Sequence, residues 1–149
     1  MSDAPPKIIE IEHDDYIAKH VGWTVDSRQF FLTTPFEPPF GSGPGAEFIA
    51  LYLFDTDGKL IEAIIDDLGP RASLDKSKAR QLYESRLSQL GELRFSRIKV
   101  APFSVHRFGI EFGLVLRQPE EEGEPWAVEA QPGNYMAFFD PWDSGEYDT

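Results

Sequence analysis

Hydrophobic residues recur along this chain in short runs that are bounded by Pro, Gly, Asn or Asp. The clearest two runs, at 48–54 and 60–65, flank the tetrapeptide Asp55-Thr56-Asp57-Gly58. Because glycine readily adopts a positive φ after a type I turn, this pattern predicts a β-hairpin. Both arms are almost continuously apolar, so we expect them near the centre of a sheet with both faces at least partly covered.

Shorter runs predict further antiparallel strands at 7–12, 23–25, 29–33, 93–100, 108–117, 126–129 and 135–139. Asp14 is suited to cap a short turn of helix that ends near Gly22, and residues 26–28 suit a second hairpin turn. The segment from Pro35 to Gly45 contains four Pro and three Gly, so we expect it to continue neither kind of ladder. Long loops of this kind are often functional.

One helix is predicted between a capping residue, Ser73 or Asp75, and Gly91, which suits a left-handed helix C-terminus. Apolar residues recur at helical spacing between these ends, and the opposite face is basic. The apolar positions are Ala79, Leu82, Tyr83, Leu87 and Leu90, and the basic ones are Lys76, Lys78, Arg80 and Arg86. We expect this helix, at about residues 74–90, to pack on one face of the sheet with its cations toward water. The predicted class is therefore α+β, mainly antiparallel sheet with one principal helix.

The length and composition favour one domain over 1–149. The chain has 149 residues, 41% of them hydrophobic, with 12 Phe, which is typical of a protein with a packed core. Cysteine is absent, which excludes disulfides, thiolate nucleophiles and Cys-based metal sites. The N-terminus lacks the pattern of a secretory signal, and the apolar run 48–54 is too short to span a bilayer. We therefore expect a soluble, cytoplasmic protein with no cofactor and no membrane association.

Charge is distributed unevenly along the chain. The formal net charge is −12, and it divides into −9 over residues 1–70, +6 over residues 71–117 and −9 over residues 118–149. The basic middle segment either pairs with the acidic flanks or presents a basic face to an anion, and we favour internal pairing. Free nucleic acid is an unlikely partner because the overall field repels phosphates.

Three motifs have simpler structural explanations. Asp55-Thr56-Asp57-Gly58 lacks the glycine and the acid that a calcium loop needs at its later positions, so a hairpin turn is favoured. Gly41-Ser42-Gly43-Pro44-Gly45 leads into a strand and not into a helix, so phosphate binding is disfavoured. His13 and His20, with Asp14 and Asp15, would be two turns apart on a helix, and no metal site is predicted.

The strand at 108–117 carries an alternative site. Its glycine-bearing face, with Gly109 and Gly113, invites close approach by a ligand. A pocket there, with His106, Arg107 and Arg117 near its mouth, would bind a small anion. Within one strand, adjacent side chains point to opposite faces, so His106 is expected to point away from Glu111. A histidine at the edge of the core is favoured over a general base.

The C-terminal segment 140–149 combines aromatic side chains with acids and has no basic residue. Aromatic anchors in acidic surroundings suit recognition of a basic protein, although packing of Trp142 and Tyr147 on the sheet is an equally good explanation. Together with the Pro35–Gly45 loop, this segment supplies the predicted partner surface. Its residues are Phe36, Phe40, Phe139, Trp142, Asp143, Glu146 and Tyr147. The run 118–125 is expected to be an acidic solvated loop.

No catalytic constellation emerges, so the sequence favours a binding protein over an enzyme. The leading hypothesis is a protein-binding module with an acidic, aromatic-containing surface, such as an inhibitor or immunity-type protein that masks a basic partner. The alternative is a small enzyme or anion-binding domain with its pocket at the 106–117 strand. A third hypothesis is a structural subunit whose sheet edge pairs with a copy of itself.

Overall fold

The computed structural model of this chain describes residues 4–39 and 43–147. The strands within these ranges are β1 (Ile9–Ile11), β2 (His20–Thr24), β3 (Gln29–Thr33), β4 (Phe36–Glu37), β5 (Ala46–Phe54), β6 (Leu60–Gly69), β7 (Leu93–Phe95), β8 (Ile98–Val100), β9 (Phe103–Arg107), β10 (Ile110–Arg117), β11 (Ala127–Gln131), β12 (Met136–Phe138) and β13 (Gly145–Tyr147). A turn of 3-10 helix (Arg71–Ser73) precedes the α-helix α1 (Lys76–Ser88). All strand pairs are antiparallel, which confirms the predicted α+β class.

Six strands form the larger sheet, and β5 is its central strand. It pairs with β3 and β4 along one side and with β6 along the other. The sheet continues from β3 to β2 and from β2 to the short β7. Both predicted hairpins are present, and their turns place Ser27 and Gly58 at φ values of 67° and 88°.

The larger sheet is covered on both faces, which explains the continuous burial of β5 from Phe48 to Phe54. One set of β5 side chains, Ile49, Leu51 and Leu53, faces helix α1. The alternate set, Ala50, Tyr52 and Phe54, faces the second sheet. The molecule thus has three layers, namely α1, the six-stranded sheet and a five-stranded sheet.

The second sheet has the strand order β13-β12-β11-β10-β9. A separate ladder of β1 and β8 closes the space between the two sheets and contributes Ile9, Ile11, Ile98 and Val100 to the core. Gln29 of β3 is buried in this space. Its side-chain NH2 donates to the carbonyl of Asp55 at 3.0 Å, and its side-chain oxygen accepts from the amide of Lys99 at 2.7 Å. This one amide therefore connects β3, the turn after β5 and β8.

Helix α1 begins and ends as predicted. The Asp75 carboxylate accepts hydrogen bonds from the amides of Ser77 and Lys78, and Gly91 follows the helix at φ 76°. Its apolar side chains, among them Leu82, Tyr83 and Leu87, pack on the larger sheet. No helix in the described ranges has the length and apolar character needed to cross a membrane.

The expectation that the basic side chains of this helix all face water is wrong for Arg86. Its Nε and Nη2 groups donate to the two carboxylate oxygens of Asp66 on β6, each at 2.8 Å. Both side chains are about one fifth exposed. The pair fastens the helix to the edge strand of the larger sheet.

Two predictions about the first half of the chain are wrong. Asp14 does cap a turn, since its Oδ1 accepts from the amides of Tyr16 and Ala18, but no helix follows and the chain enters β2 at His20. Pairing of β2 with strands on both sides outweighs the local helical signal. Within the Pro35–Gly45 segment, β4 continues the ladder of β3 along β5.

Two strands in the second half differ from their predicted bounds. The run 93–100 divides at Ser96 and Arg97, so that β7 joins the larger sheet while β8 pairs with β1. The run 108–117 begins later than predicted because Phe108 and Gly109 form the turn of a hairpin, with φ values of 56° and 72°. His106 and Arg107 consequently belong to a separate strand, β9.

Candidate functional site

Two segments that are distant in sequence meet beside β1 and β13. The amide of Glu10 donates to the carbonyl of Trp142 at 2.8 Å, and the Tyr147 hydroxyl donates to the carboxylate of Asp14. The rings of Tyr16 and Tyr147 contact each other edge to face, with centroids 5.3 Å apart. The N-terminal residues 10–16 and the C-terminal residues 142–147 therefore form one continuous surface.

We define this surface as the acidic face. It consists of five carboxylates, those of Glu10, Glu12, Asp14, Asp15 and Asp143, and three aromatic rings, those of Tyr16, Trp142 and Tyr147. Arg97 contacts it, and its Nη1 and Nη2 lie 3.1 Å from Glu10 and 3.2 Å from Glu12. These hydrogen bonds and the two negative charges raise the pKa of Arg97. Lys99 lies opposite Glu10 in the β1–β8 ladder, so five carboxylates against two cations leave the face with three net negative formal charges.

The aromatic rings of the acidic face differ in exposure. Trp142 and Tyr147 are half-buried and pack against the core between the sheets, whereas Tyr16 is 63% exposed. Trp142 has a φ of 67°, and its amide donates to the carbonyl of Phe139 at 2.6 Å, so a tight turn directs this ring toward the core. The structure thus combines packing of the segment with partial exposure of its rings.

The other residues of the predicted partner surface lie elsewhere. Phe36, in β4, packs against the core between the sheets, and Phe139 is half-buried just before the turn at Trp142. Glu146 alternates with Tyr147 along β13, so its side chain points to the outer face of the five-stranded sheet. Phe40 lies outside the described residues, as do Gly41 and Ser42 of the glycine-rich loop.

The three residues of the predicted anion pocket do not converge. Arg107 pairs with Ile110 at one end of β10, and Arg117 stands at the other end, about 23 Å away by the rise of a strand. Arg117 is occupied by Glu129, with Nε 2.8 Å from its carboxylate, and lies 3.9 Å from Glu124. A groove does lie beside Gly109, but its charged residues are Glu37 and Glu111, which repel anions.

His106 also differs from its prediction. It lies directly opposite Glu111 across the β9–β10 ladder, so the two side chains share a face and do not point apart. The expected opposition assumed one strand, whereas a hairpin turn separates the two residues. Ser104, on the same exposed face, donates its hydroxyl to Glu111 at 2.6 Å. The Ser104 hydroxyl is solvent-exposed and hydrogen-bonded to the Glu111 carboxylate. It therefore lacks the contact with a histidine that would activate it as a nucleophile.

Four of the ten basic side chains in the middle segment, all of them arginines, form ion pairs with acids of the flanking segments in the described part of the chain. Arg71 contacts Glu47, and Arg86 contacts Asp66. Arg97 and Arg117 contact the acids described above. Each of these arginines has its partner outside residues 71–117. Internal pairing thus accounts for only part of the charge of the basic middle segment.

A second concave region lies at the end of β2 and β3, where the chain leaves the larger sheet. We call it the β2–β3 cavity, and its volume is about 590 Å3. Four aromatic rings line it, from Tyr16, Phe36, Tyr83 and Tyr135, together with the polar side chains of His20 and Thr33. Lys19, Glu47 and Arg71 stand around it. Tyr16 is shared between this cavity and the acidic face.

The polar side chains in the β2–β3 cavity are hydrogen-bonded to one another. His20 Nδ1 lies 2.5 Å from the hydroxyl of Tyr83, which donates to the carbonyl of Leu32 at 3.4 Å. Burial, with smaller contributions from Lys19 and His13, lowers the pKa of His20. Burial raises the pKa of Tyr83 to about 12 and also raises that of Tyr135, whose hydroxyl accepts from Thr33. These groups are therefore neutral at physiological pH.

The sequence offered little signal for the β2–β3 cavity. His20 and Tyr83 are 63 residues apart, and Thr33 and Tyr135 are 102 apart. His20 was a candidate only as a metal ligand with His13. Within residues 4–39 and 43–147, no group of three or more His, Asp or Glu side chains is arranged to hold a metal ion.

Comparisons of this chain with protein-family models, with curated proteins and with solved structures found no match.

Proposed function

We propose that this protein is a binding module that engages a basic protein partner through the acidic face. The observation that carries the proposal is the meeting of residues 10–16 and 142–147, which brings five carboxylates onto one surface where Arg97 pairs with two of them. Opposite charge on a partner accelerates encounter and fixes its orientation. A basic patch on another protein is the surface that complements this field.

The arrangement of the acidic face also favours specific binding over general attraction. The Tyr147–Asp14 hydrogen bond and the pairing of β13 with β12 hold the segment in place before any partner arrives. Preorganised side chains lose less entropy on binding than a free tail does. Tyr16 is well exposed beside the half-buried Tyr147, and rings of this kind often anchor protein interfaces.

An inhibitor or immunity-type role follows from this chemistry. Such a protein masks the cationic surface with which a nuclease or toxin holds its own anionic substrate. An acidic face of three net negative charges, set on a chain of net charge −12, suits that task. The groove near Gly109 gives no comparable support to the anion-binding alternative, because its charged residues are acids.

The experiment compares three forms of the protein as baits in a native lysate. The face variant carries Glu12→Gln, Asp15→Asn and Asp143→Asn, and the control variant carries Glu120→Gln, Glu121→Gln and Glu122→Gln in the 118–125 loop. Both lose three negative charges, so non-specific attraction falls equally. We expect a basic protein that is retained by the wild type and the control variant and released by the face variant.

The association rate of that partner provides the second measurement. It should fall by about tenfold or more as ionic strength rises, because exposed charges are screened beyond a Debye length. A partner that both variants lose equally would show attraction to net charge alone. A rate that does not respond to salt, or the absence of any partner that depends on the face, contradicts the proposal.

A further inference from the structure

The β2–β3 cavity has the dimensions of a small-molecule site, which the proposed protein-binding function does not use. Its volume of about 590 Å3 lies within the range of about 300–1,000 Å3 that is usual for such sites. Its walls come from the 16–20 segment, the ends of β3 and β4, helix α1 and the 133–135 turn. Side chains fixed by packing on several elements keep the space open without a ligand.

Hydrogen bonds join His20 and Tyr83 within the cavity. His20 Nδ1 lies 2.5 Å from the Tyr83 hydroxyl, and that hydroxyl lies 3.4 Å from the carbonyl oxygen of Leu32. A neutral imidazole has one nitrogen that donates and one that accepts, so the pair of His20 and Tyr83 can bind a polar group of a ligand. The lowered pKa of His20, caused mainly by burial, supports the neutral form. His20 thus offers a ligand a hydrogen bond and not a positive charge.

The charges around the cavity favour a monoanion. Lys19 forms no ion pair in the described part of the chain and is exposed to solvent. Arg71 uses Nε and Nη2 to bind one oxygen of Glu47, which leaves the hydrogens of Nη1 for another acceptor. Two cations and one carboxylate give the lining a formal charge of +1 on a protein of −12. A cationic ligand would meet two like charges, and a dianion would exceed the available compensation.

The aromatic side chains of the cavity indicate that the uncharged part of the ligand is a ring. Tyr16, Phe36, Tyr83 and Tyr135 present aromatic faces and edges, which pack well against another ring. We propose that the β2–β3 cavity binds a small aromatic monocarboxylate, with its carboxylate against Lys19 and Arg71 and its ring against the cavity's aromatic side chains. A hydroxyl on that ring would form a hydrogen bond with the pair of His20 and Tyr83.

Backbone amide NMR of the whole chain tests this inference with benzoate as the probe, titrated into the millimolar range. We expect saturable shifts that are centred on residues 16–20, 33–36 and 133–135. The neutral analogue benzamide should bind about tenfold more weakly, because it lacks the charge that Lys19 and Arg71 compensate. 4-Hydroxybenzoate should bind more tightly than benzoate through the added hydrogen bond.

Matched variants locate the carboxylate. Lys19→Gln should weaken benzoate about tenfold, a loss of about 1.4 kcal/mol, whereas Lys59→Gln in the β5–β6 turn should leave its affinity unchanged. Tyr83→Phe keeps the ring but frees His20, so the preference for 4-hydroxybenzoate over benzoate should change while benzoate itself still binds. A spectrum that retains its dispersion shows that each variant is folded.

Three results would overturn the inference. They are shifts that do not saturate or that lie elsewhere, equal affinity for benzamide and benzoate, and equal losses in Lys19→Gln and Lys59→Gln. The face variant with Glu12→Gln, Asp15→Asn and Asp143→Asn should bind benzoate like the wild type. Failure of the ligand-binding inference for the cavity can therefore be distinguished from failure of the protein-binding proposal for the acidic face.

Discussion

The acidic face and the β2–β3 cavity are neighbours that share Tyr16, yet they are built in opposite ways. The acidic face comes from two short segments, 10–16 and 142–147, which are joined by the hydrogen bonds from Glu10 to Trp142 and from Tyr147 to Asp14. The cavity draws side chains from all three layers and is lined by neutral polar groups, rings and two cations. One region suits a macromolecule and the other suits a small molecule.

The difference between the acidic face and the β2–β3 cavity shows which kinds of functional site can be found from the sequence alone. Each acidic segment of the face is visible as a local charge pattern, whereas the meeting of residues 10–16 with residues 142–147 is not. A cavity made from His20, Thr33, Tyr83 and Tyr135 has no such pattern, since each residue alone is ordinary. If the two regions are independent, changes in one should leave the other intact, and three variants test that independence.

The largest effect is expected from Gly133→Ala in the wall of the cavity. Gly133 has a φ of 95°, and an added Cβ would lie 2.7 Å from the backbone oxygen of Phe36. Left-handed strain and overpacking together should lower the free energy of unfolding by about 2–5 kcal/mol. Chemical denaturation measures this loss, and benzoate affinity should fall with it.

Gly123→Ala is the matched control for that experiment. Gly123 has a similar φ of 89°, but nothing lies within 4 Å of an added Cβ. Its cost should be limited to the left-handed strain of about 1–2 kcal/mol. Equal losses for the two glycines would mean that the contact with Phe36 does not constrain the cavity wall.

An intermediate effect is expected from Tyr147→Phe in the acidic face. The substitution removes the hydroxyl that donates to Asp14 and preserves the ring on the core. We expect a loss of about 1 kcal/mol in denaturation and faster hydrogen exchange in β13, with benzoate binding unchanged. Slower exchange, or a loss of benzoate affinity, would mean that the two regions are coupled through Tyr16.

The smallest effect concerns the pH dependence of stability that arises from His20. Its pKa in the folded protein is lowered, so the unfolded chain binds a proton more readily as pH falls below about 6.5. The contribution of neutral His20 to the free energy of unfolding is fully present above that pH. It declines as the pH falls toward the pKa of His20 in the folded protein. Between pH 7 and pH 5, the wild type should lose more stability than His20→Gln.

His106→Gln is the control for this titration, because His106 lies on the exposed face of β9 outside the cavity. Carboxylates also titrate over part of this interval, and they do so equally in the wild type and both variants. The informative quantity is therefore the difference between pH profiles. Identical profiles for the wild type and His20→Gln would contradict the assignment of a half-buried, neutral imidazole.

The larger elements of the fold were accessible from the sequence because their signals are local. The β5–β6 hairpin has a glycine turn between two apolar runs, and helix α1 has its cap at Asp75 and a glycine after its end. These features act within a few residues of the chain. The predicted class and the position of the helix on one face are accordingly correct.

The errors arose where long-range pairing decided the outcome. Residues 14–22 have a helical signal, but β2 is held between β3 and β7, and the 93–100 run is divided between two ladders. The turn at Phe108 and Gly109 placed His106 opposite Glu111, which reversed the expected geometry. Pairs such as Arg86 with Asp66 depend on packing between layers, which the sequence pattern does not encode.

The three-layer construction has a consequence for the cavity that concerns cooperativity. Tyr83 belongs to α1, Thr33 to the six-stranded sheet, and Tyr135 adjoins the five-stranded sheet at β12. A bound ligand would contact all three layers at once. Its binding free energy would therefore oppose the separation of any one layer from the other two. Amides of the surface helix, which otherwise exchange by local opening, would then acquire protection closer to that of the central strand.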